Sequence, residues 1–165
     1  MNRLLNNWLF LLFTLSLIAL ISALTAEFFF DLAPCKMCLK QRHPYYAIII
    51  FILLFYFFRR VKNIWLFILS EFAILYGLFY AIWHVGIEQK ILPGPSSCSG
   101  TLSNTNSIQN LKEQISNQPI VNCAEISWTM LGLSAATINS ILLLLILFFN
   151  SIYILQNFYG AKKIG

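Results

Sequence analysis

Two cysteines stand three residues apart in PCKMCLKQRHPYY, residues 34–46, directly before a long apolar run. A Cys-x-x-Cys pair closes a very small disulfide ring, and pairs of this kind are typically redox-active. The segment is also basic, with Lys36, Lys40 and Arg42. Positive charge and a helix N-terminus favour a thiolate over a thiol, and the thiolate is the species that attacks disulfides. The segment therefore predicts thiol–disulfide chemistry at Cys35 and Cys38.

Two further cysteines, Cys98 and Cys123, lie in a long polar segment, and none of the four lies within an apolar stretch. An even number of cysteines outside a membrane suggests two disulfides, although four cysteines permit three connectivities. The wide spacing of the second pair is typical of a structural staple. Zinc is a weaker alternative, because the second pair lacks the close spacing of a zinc knuckle. Two inert structural disulfides are the other alternative.

The composition indicates a membrane protein. Of the 165 residues, 59% are hydrophobic and 10% are charged, whereas soluble domains carry about 25% charged residues. The net charge of +5 is concentrated near the ends of apolar runs, which favours membrane anchoring over nucleic-acid binding. Phosphate-binding glycine loops and paired-carboxylate patterns are missing from the sequence, which argues against a kinase, a glycosidase or an RNA-binding protein.

Four apolar stretches predict four transmembrane helices within a single integral membrane domain, residues 1–165. About 20 residues of helix cross the hydrocarbon core, and a helix satisfies its own backbone groups in lipid. The predicted spans are about 8–30, 40–58, 64–84 and 129–155, with loops of about 31–43 and 85–128. The first stretch is longer than the ~7–15 apolar residues of a signal peptide, so we interpret it as a retained span.

The loop order places all four sulfurs on one side of the membrane, because the first and third loops of a four-span protein share a side. The basic cluster Arg59, Arg60 and Lys62 predicts that the second loop is cytoplasmic, so the cysteines face away from the cytosol. A thiolate at the bilayer surface is within reach of a lipid-soluble oxidant. Quinones suit this chemistry, because quinone reduction takes two electrons and two protons, as many as a dithiol releases on forming a disulfide.

Four segments of the chain resemble the DsbB family of disulfide bond formation proteins: PCKMCLKQR, WHVGIEQ, GPSSC and NCAEISWTMLGLS. The resemblance covers essentially the whole chain. It implies an all-α membrane protein, a four-transmembrane-helix bundle with a long extracytoplasmic loop between helices 3 and 4. It also implies a multi-pass protein of the bacterial inner membrane with its active cysteines on the periplasmic side.

The resemblance implies a quinone-dependent protein-dithiol oxidase. Such an enzyme reoxidises a periplasmic DsbA-like thioredoxin-fold oxidase and passes the electrons to ubiquinone or menaquinone, which sustains disulfide formation in exported proteins. By position, Cys98 resembles the cysteine that the partner attacks, and Cys123 the one that exchanges with Cys35. Cys38 resembles the cysteine beside the quinone, and Arg42 the residue that polarises the quinone oxygen. Membrane lipid is the other expected partner, and neither nucleic acid nor metal is expected.

His84 and Glu88 are four residues apart near the end of the third stretch, so they share a helix face. They could deliver protons to reduced quinone, or His84 could be an interfacial anchor beside Trp83. Glu71 lies inside the same stretch, where an ionisable group is costly. We expect its carboxylate to reach towards the cytoplasmic surface, with a role in proton uptake as the alternative.

Two other interpretations of the function remain open at this point. A vitamin K epoxide reductase-like protein shares the quinone chemistry, but its two cysteine pairs occur in the reverse order. A small structural or assembly protein held by two inert disulfides would show no thiol exchange.

Within the long loop, Ile108, Leu111 and Ile115 predict a short amphipathic helix that lies on the membrane surface or packs on the protein itself.

Overall fold

The computed structural model describes residues 2–58, 63–95, 98, 121–126 and 128–162. The described part of the chain contains four helices: α1 (Asn2–Phe29), α2 (Lys36–Phe58), α3 (Asn63–Glu88) and α4 (Ala135–Lys162). A two-residue strand pair, β1 (Thr129–Met130) and β2 (Leu133–Ser134), forms an antiparallel hairpin directly before α4. The predicted helical architecture is therefore confirmed.

Three stretches of the described helices are long and apolar enough to cross a membrane: Asn7–Phe29, Ile64–Glu88 and Ala135–Phe158. Helix α2 is not among them, and it carries Lys36, Lys40 and Arg42 in its first two turns. Crossing by α2 therefore stays a prediction. The basic cluster of residues 59–62 and the predicted helix around Ile108, Leu111 and Ile115 lie outside the described residues.

The helix boundaries differ from the predicted spans in ways that matter for the cysteines. Helix α2 begins at Lys36, so residues 36–39, which were predicted as loop, are helical. Helix α3 continues to Glu88, four residues past the predicted end. Helix α4 begins only at Ala135, because Leu131 and Gly132 have φ values of 54° and 79°, the positive values that a tight hairpin turn needs at its two central positions.

The helices pack in chain order, with α2 between α1 and α3, and α4 against α3. All four contribute to one buried apolar cluster, which consists of Leu12, Leu20, Tyr45, Ile48, Ile74, Leu78, Ala81, Leu143 and Ile146. Consecutive helices therefore run in opposite directions. The end of α1, the start of α2, the end of α3 and the start of α4 meet at one end of the bundle.

Helices α2 and α3 approach each other closely where Pro44 faces Gly77. Pro44 lies inside α2 and is buried. A Cβ atom added at Gly77 would lie 2.4 Å from Pro44 Cγ and 3.3 Å from a methyl group of Leu143, and real Cβ contacts are not that short. Only glycine therefore fits at this crossing without a shift of the helices.

We expect Gly77→Ala to lower the stability of the bundle by about 1–3 kcal/mol, the usual cost of overpacking a core. The measurement is the thermal or denaturant midpoint of the purified protein in detergent. Gly94→Ala is a suitable control, because a Cβ there meets its nearest neighbour at 3.6 Å, an ordinary contact distance. Equal midpoints for Gly77→Ala and the native protein would contradict this account of the crossing.

Glu71 takes part in a polar cluster that connects three helices. Its carboxylate accepts hydrogen bonds from Ser151 and from Asn150 Nδ2, the latter at 2.5 Å. Asn150 is buried; its Nδ2 also donates to the Phe67 carbonyl and its Oδ1 accepts from Trp8 Nε1. Glu71 thus has polar partners on α4. The expectation that it reaches towards the cytoplasmic surface overlooked these partners, because nothing in the sequence shows that Asn150 lies opposite.

Candidate redox site

Cys35 is the N-cap residue of α2. Its carbonyl accepts the backbone N–H of Leu39 at 3.1 Å, the first hydrogen bond of the helix, and its Sγ accepts the backbone N–H of Cys38 at 3.2 Å. An N-cap side chain normally makes this second bond with an oxygen atom. Here a sulfur atom occupies the position where the helix dipole favours negative charge. The structure thus places Cys35 at the helix start, and the contribution of that position to thiolate formation stays a prediction.

The two cysteine pairs are in different oxidation states. Cys98 and Cys123 form a disulfide, whereas Cys35 and Cys38 are free. The Sγ atoms of Cys35 and Cys38 are 2.9 Å apart, too far for a covalent S–S bond of ~2.04 Å. Cys35 is 5% exposed and Cys38 is partly exposed. The structure therefore joins one pair of cysteines, Cys98 and Cys123, and leaves the pair Cys35 and Cys38 reduced.

The turn that follows α3 positions Cys98. Lys90 adopts a φ of 58°, and the backbone N–H groups of Lys90 and Ile91 donate to the carbonyls of Ile87 and Gly86, which is a Schellman-type helix end. The chain then folds back over the helix end, where Trp83 Nε1 donates to the Pro93 carbonyl at 3.3 Å. Two residues later the Pro95 carbonyl accepts the N–H of Cys98 at 2.7 Å.

Cys123 lies beside Cys35. The Sγ atoms of these two cysteines and a ring nitrogen of His84 all lie within 4.8 Å of one another, and all three residues are buried. The four cysteines belong to one apolar cluster together with Met37 and Ile87. The four sulfurs therefore meet at one end of the bundle, and the free thiol pair faces the disulfide across a gap that a small movement can close.

His84 contacts Cys35, and both of its ring nitrogens have partners. Nε2 lies 3.6 Å from Cys35 Sγ and 4.0 Å from a carboxylate oxygen of Glu88, while Nδ1 lies 2.7 Å from Nε2 of Gln41. The ring is 4% exposed. His84 is thus part of the thiol site, and its predicted contact with a quinone stays a prediction. Gln41, for which the sequence predicted no role, is the residue that contacts Nδ1 of this ring.

The thiol pair shares one proton unequally. The hydrogen bond from Cys38, together with the His84 ring and the Cys38 backbone N–H, lowers the pKa of Cys35 from 9.0 to about 4, although burial opposes this. The hydrogen bond to Cys35, burial and the Cys35 charge raise the pKa of Cys38. Cys35 is therefore the thiolate, and Cys38 is the thiol that donates to it.

The basic residues beside the cysteine pair contribute less to the low pKa of Cys35 than the sequence predicted. Lys36 and Lys40 are exposed, and neither is among the causes of the low pKa of Cys35. Lys40 instead lies over the ring of Tyr80, with its Nζ 4.6 Å from the ring centroid. Arg42 favours the Cys38 thiolate, but this is the smallest of the effects on that pKa. The nearest donors decide the charge, because hydrogen bonds outweigh distant charges here.

We expect the reactivity of Cys35 to be nearly independent of pH between 6 and 8.5. A group with a pKa of about 4 stays a thiolate throughout this range and takes up a proton only as the pH falls through 4. An ordinary thiol would become over about 100-fold more reactive across the same range. The measurement is the rate of iodoacetamide labelling in a Cys98→Ser/Cys123→Ser variant, with the labelled cysteine identified by tandem mass spectrometry. A steady rise in Cys35 labelling up to pH 9 would contradict the assignment.

Arg42 is held by α1. Its Nη1 donates to Glu27 Oε2 at 2.5 Å and its Nη2 to the Ala23 carbonyl at 3.3 Å, and its side chain is 12% exposed. Since Arg42 is four residues after Cys38, both lie on the same face of α2. Glu27 was not predicted as a site residue, although a carboxylate inside an apolar stretch is itself a sign of a buried ionic partner.

Cys35, His84 and Cys123 are close enough together to suggest a metal site. However, the sulfur of Cys123 is bonded to Cys98, so only two of the three side chains offer a free ligand atom. Catalytic zinc sites use three protein ligands and structural ones use four. In this oxidation state the cluster fits thiol exchange better than metal binding.

A helical membrane protein that holds a dithiol against a disulfide belongs to the class of membrane thiol–disulfide oxidoreductases. The chain is a member of the DsbB family, disulfide bond formation protein DsbB, whose model matches residues 5–153. An uncharacterized protein, RP370 of Rickettsia prowazekii (strain Madrid E), is 31% identical over 140 residues, which cover 84% of this chain and 81% of the relative. No solved structure matches the chain. The protein is thus a multi-pass membrane protein with thiol oxidase activity.

Proposed function

We propose that this protein reoxidises a DsbA-like thioredoxin-fold dithiol protein and passes the electrons to a membrane quinone, so that exported proteins continue to acquire disulfide bonds. The observation that carries the proposal is the closeness of Cys35 Sγ and Cys123 Sγ, within 4.8 Å. Two inert structural disulfides would need neither this approach nor a thiolate. The arrangement provides a route for electrons from one cysteine pair to the other.

The first step is an attack by a thiolate of the partner on Cys98. The Cys98–Cys123 bond breaks, a mixed disulfide forms between the partner and Cys98, and Cys123 leaves as a thiolate. Cys98 is buried in this structure, so docking of the partner must first expose its sulfur. The second cysteine of the partner then attacks the mixed disulfide, releasing the oxidised partner and reduced Cys98.

The second step is exchange between the two pairs. When Cys35 and Cys38 are joined as a disulfide, the Cys123 thiolate attacks Cys35 and displaces Cys38. Cys98 then attacks Cys123, which restores the Cys98–Cys123 disulfide and leaves Cys35 and Cys38 reduced. Two electrons have moved from the partner to the first pair, Cys38 holds one proton and a second is released to solvent, and the product has a free first pair and a closed second pair.

The third step needs an oxidant, and the residues around Cys38 fit a quinone. Cys38 is the more exposed cysteine of its pair, and Arg42 lies one helical turn further along the same face. A bound quinone would accept two electrons and the Cys38 proton from the pair, and the second proton of the quinol would come from solvent. Arg42 retains N–H donors beyond those given to Glu27 and Ala23, since a guanidinium has five, and these can orient a quinone oxygen. Reconstitution with each quinone in turn distinguishes ubiquinone from menaquinone as the electron acceptor.

We also propose that α2 is a fourth membrane span and that the cysteines face the periplasm of a bacterial inner membrane. Because α1 ends and α3 ends at the site, α2 must run away from the site to reach the start of α3. Its 23 residues give a length of about 35 Å, which is enough to cross. The basic residues 59–62 then lie on the cytoplasmic side.

The test is reconstitution of the purified protein in lipid nanodiscs with a reduced DsbA-like protein and either ubiquinone or menaquinone. We expect catalytic loss of partner thiols, with one quinol formed for each partner disulfide. Without quinone, the oxidised protein should convert at most two equivalents of partner, one for each of its two disulfides. Failure of both quinones to support turnover would contradict the proposed electron acceptor, and a partner that stays reduced under every condition would contradict the proposal as a whole.

A further inference from the structure

A line of side-chain amides joins α4 to the imidazole behind Cys35. The hydroxyl of Tyr45 donates to Asn139 Oδ1 at 2.5 Å. Asn139 Nδ2 donates to Gln41 Oε1 at 2.8 Å, and Gln41 Nε2 lies 2.7 Å from Nδ1 of His84. Gln41, His84 and Tyr45 are buried and Asn139 is partly exposed, so the bond between Gln41 and His84 is the one best shielded from water. We call Tyr45, Asn139 and Gln41 the amide relay.

The amide relay has a direction. An amide nitrogen only donates and an amide oxygen only accepts. Because Asn139 presents its nitrogen to the oxygen of Gln41, the nitrogen of Gln41 must face His84. Nδ1 of His84 therefore accepts a hydrogen bond and cannot carry the ring proton. In a neutral imidazole the proton is then on Nε2, the nitrogen that faces Cys35 Sγ.

We propose that Asn139 and Gln41 are positioning residues that hold His84 as its Nε2–H tautomer, so that a neutral ring donates a hydrogen bond to the Cys35 thiolate. Neither amide touches a sulfur atom, and both act through His84. The proposal deepens the proposed function, on which it rests for the role of Cys35 in electron transfer. The tautomer itself is a property of the protein without partner or quinone.

The chemical benefit is a donor that does not compete for the proton. A charged imidazolium beside a thiolate can return its proton to the sulfur, which quenches the nucleophile. With Nδ1 occupied by an amide N–H, a second proton on the ring has no acceptor on that side. Nε2 lies 3.6 Å from Cys35 Sγ and 4.0 Å from Glu88, and the backbone of Cys123 is a further hydrogen-bonding partner of the ring. Glu88 is itself held by the Ser134 hydroxyl, which donates to its other oxygen.

The titratable and charged groups that face this site in the described part of the chain are few. Cys38 Sγ on α2 lies 2.9 Å from Cys35 Sγ, and Glu88 on α3 lies beside Nε2. Arg42 is one turn further along α2 and is paired with Glu27. Cys123 is closed in a disulfide and does not titrate. A change in the Cys35 titration after a substitution at Asn139 therefore has to act through Gln41 and His84.

Nitrogen NMR of protein labelled with ¹⁵N-histidine tests the proposal directly, because protonated and bare ring nitrogens have well-separated shifts. The chain has two histidines, and a His43→Gln variant assigns the signals. We expect a protonated Nε2 and a bare Nδ1 for His84 in the reduced native protein. The reverse pattern, or two protonated nitrogens at pH 7, would overturn the proposal.

Asn139→Asp is the informative variant because it keeps the shape of the side chain and reverses the relay. A carboxylate accepts from Gln41, so the Gln41 amide turns and presents its oxygen to Nδ1. We expect His84 then to be protonated on both nitrogens. Asn139→Leu removes the constraint, so both neutral tautomers should be populated and the thiolate fraction of Cys35 near its midpoint should fall severalfold.

Asn157→Leu is the matched control, since Asn157 lies on the same helix and its side-chain amide donates to the Tyr153 carbonyl, away from the amide relay. It should leave the ring shifts and the Cys35 titration unchanged. If Asn139→Leu does not fold, Tyr45→Phe is the second variant, and it should shift the tautomer population in the same direction by less. Identical His84 shifts in the native protein and in both Asn139→Asp and Tyr45→Phe would show that the relay is structural only.

Discussion

Replacing Cys35 by serine should reduce quinone-dependent oxidation of the partner by about a thousandfold or more, as expected when the only covalent carrier in a sequence of steps is removed. On the proposed route, electrons pass from Cys123 to Cys38 through Cys35, whose Sγ lies within 4.8 Å of Cys123 Sγ. Serine cannot form a disulfide. It is, however, a preferred N-cap residue, so the start of α2 should remain intact.

The variant should not be silent in every assay. Its Cys98–Cys123 disulfide is still present, so the protein should oxidise one equivalent of partner and then stop. Stopped-flow or gel-based counting of partner disulfides measures this burst. Met37→Leu is the control, because Met37 is buried between the two cysteines and leucine has a similar volume. Multiple turnovers by Cys35→Ser with quinone would contradict the proposed route.

Arg42→Met should lower kcat/KM for quinone about 100-fold, which is the usual effect of losing one preorganised charged donor at a reacting oxygen. The burst of partner oxidation without quinone should stay as in the native protein, because Arg42 makes its contacts with α1 and not with the Cys98–Cys123 pair. Glu27→Gln should have a smaller effect, about tenfold on the KM for quinone. The amide keeps a hydrogen bond to Arg42 but not the charge that orients it.

Lys40→Met is the control for this pair, because Lys40 is a cation on the same helix that contacts Tyr80 rather than Arg42 or a cysteine. It should change the quinone kinetics less than about twofold. A loss in Arg42→Met that appears equally in the partner burst would indicate a folding defect. Quinone kinetics that do not change in Arg42→Met would remove this residue from the proposed quinone site.

Several features followed from local sequence. The Cys-x-x-Cys spacing predicted thiol chemistry, and three of the apolar stretches predicted helices long enough to cross a membrane. The order of loops predicted that the four sulfurs lie on one side, and the structure places them together. The helix ends were harder to place. Residues 36–39 were assigned to a loop because their polar character hides a helix that Cys35 caps, and residues 129–134 were assigned to a span because their apolar character hides a hairpin.

The chemistry of the protein can thus be read from short patterns, because a redox cysteine pair and an apolar run have meaning wherever they occur. Which sulfur carries the negative charge, and which side chains hold Arg42 and His84, was decided by contacts between helices. Those contacts depend on how each helix is rotated about its axis. In a membrane the core-facing and lipid-facing sides are both apolar, so the pattern of hydrophobic residues does not specify that rotation, and the pairing of Gln41 with Asn139 or of Arg42 with Glu27 emerges only when the bundle is assembled.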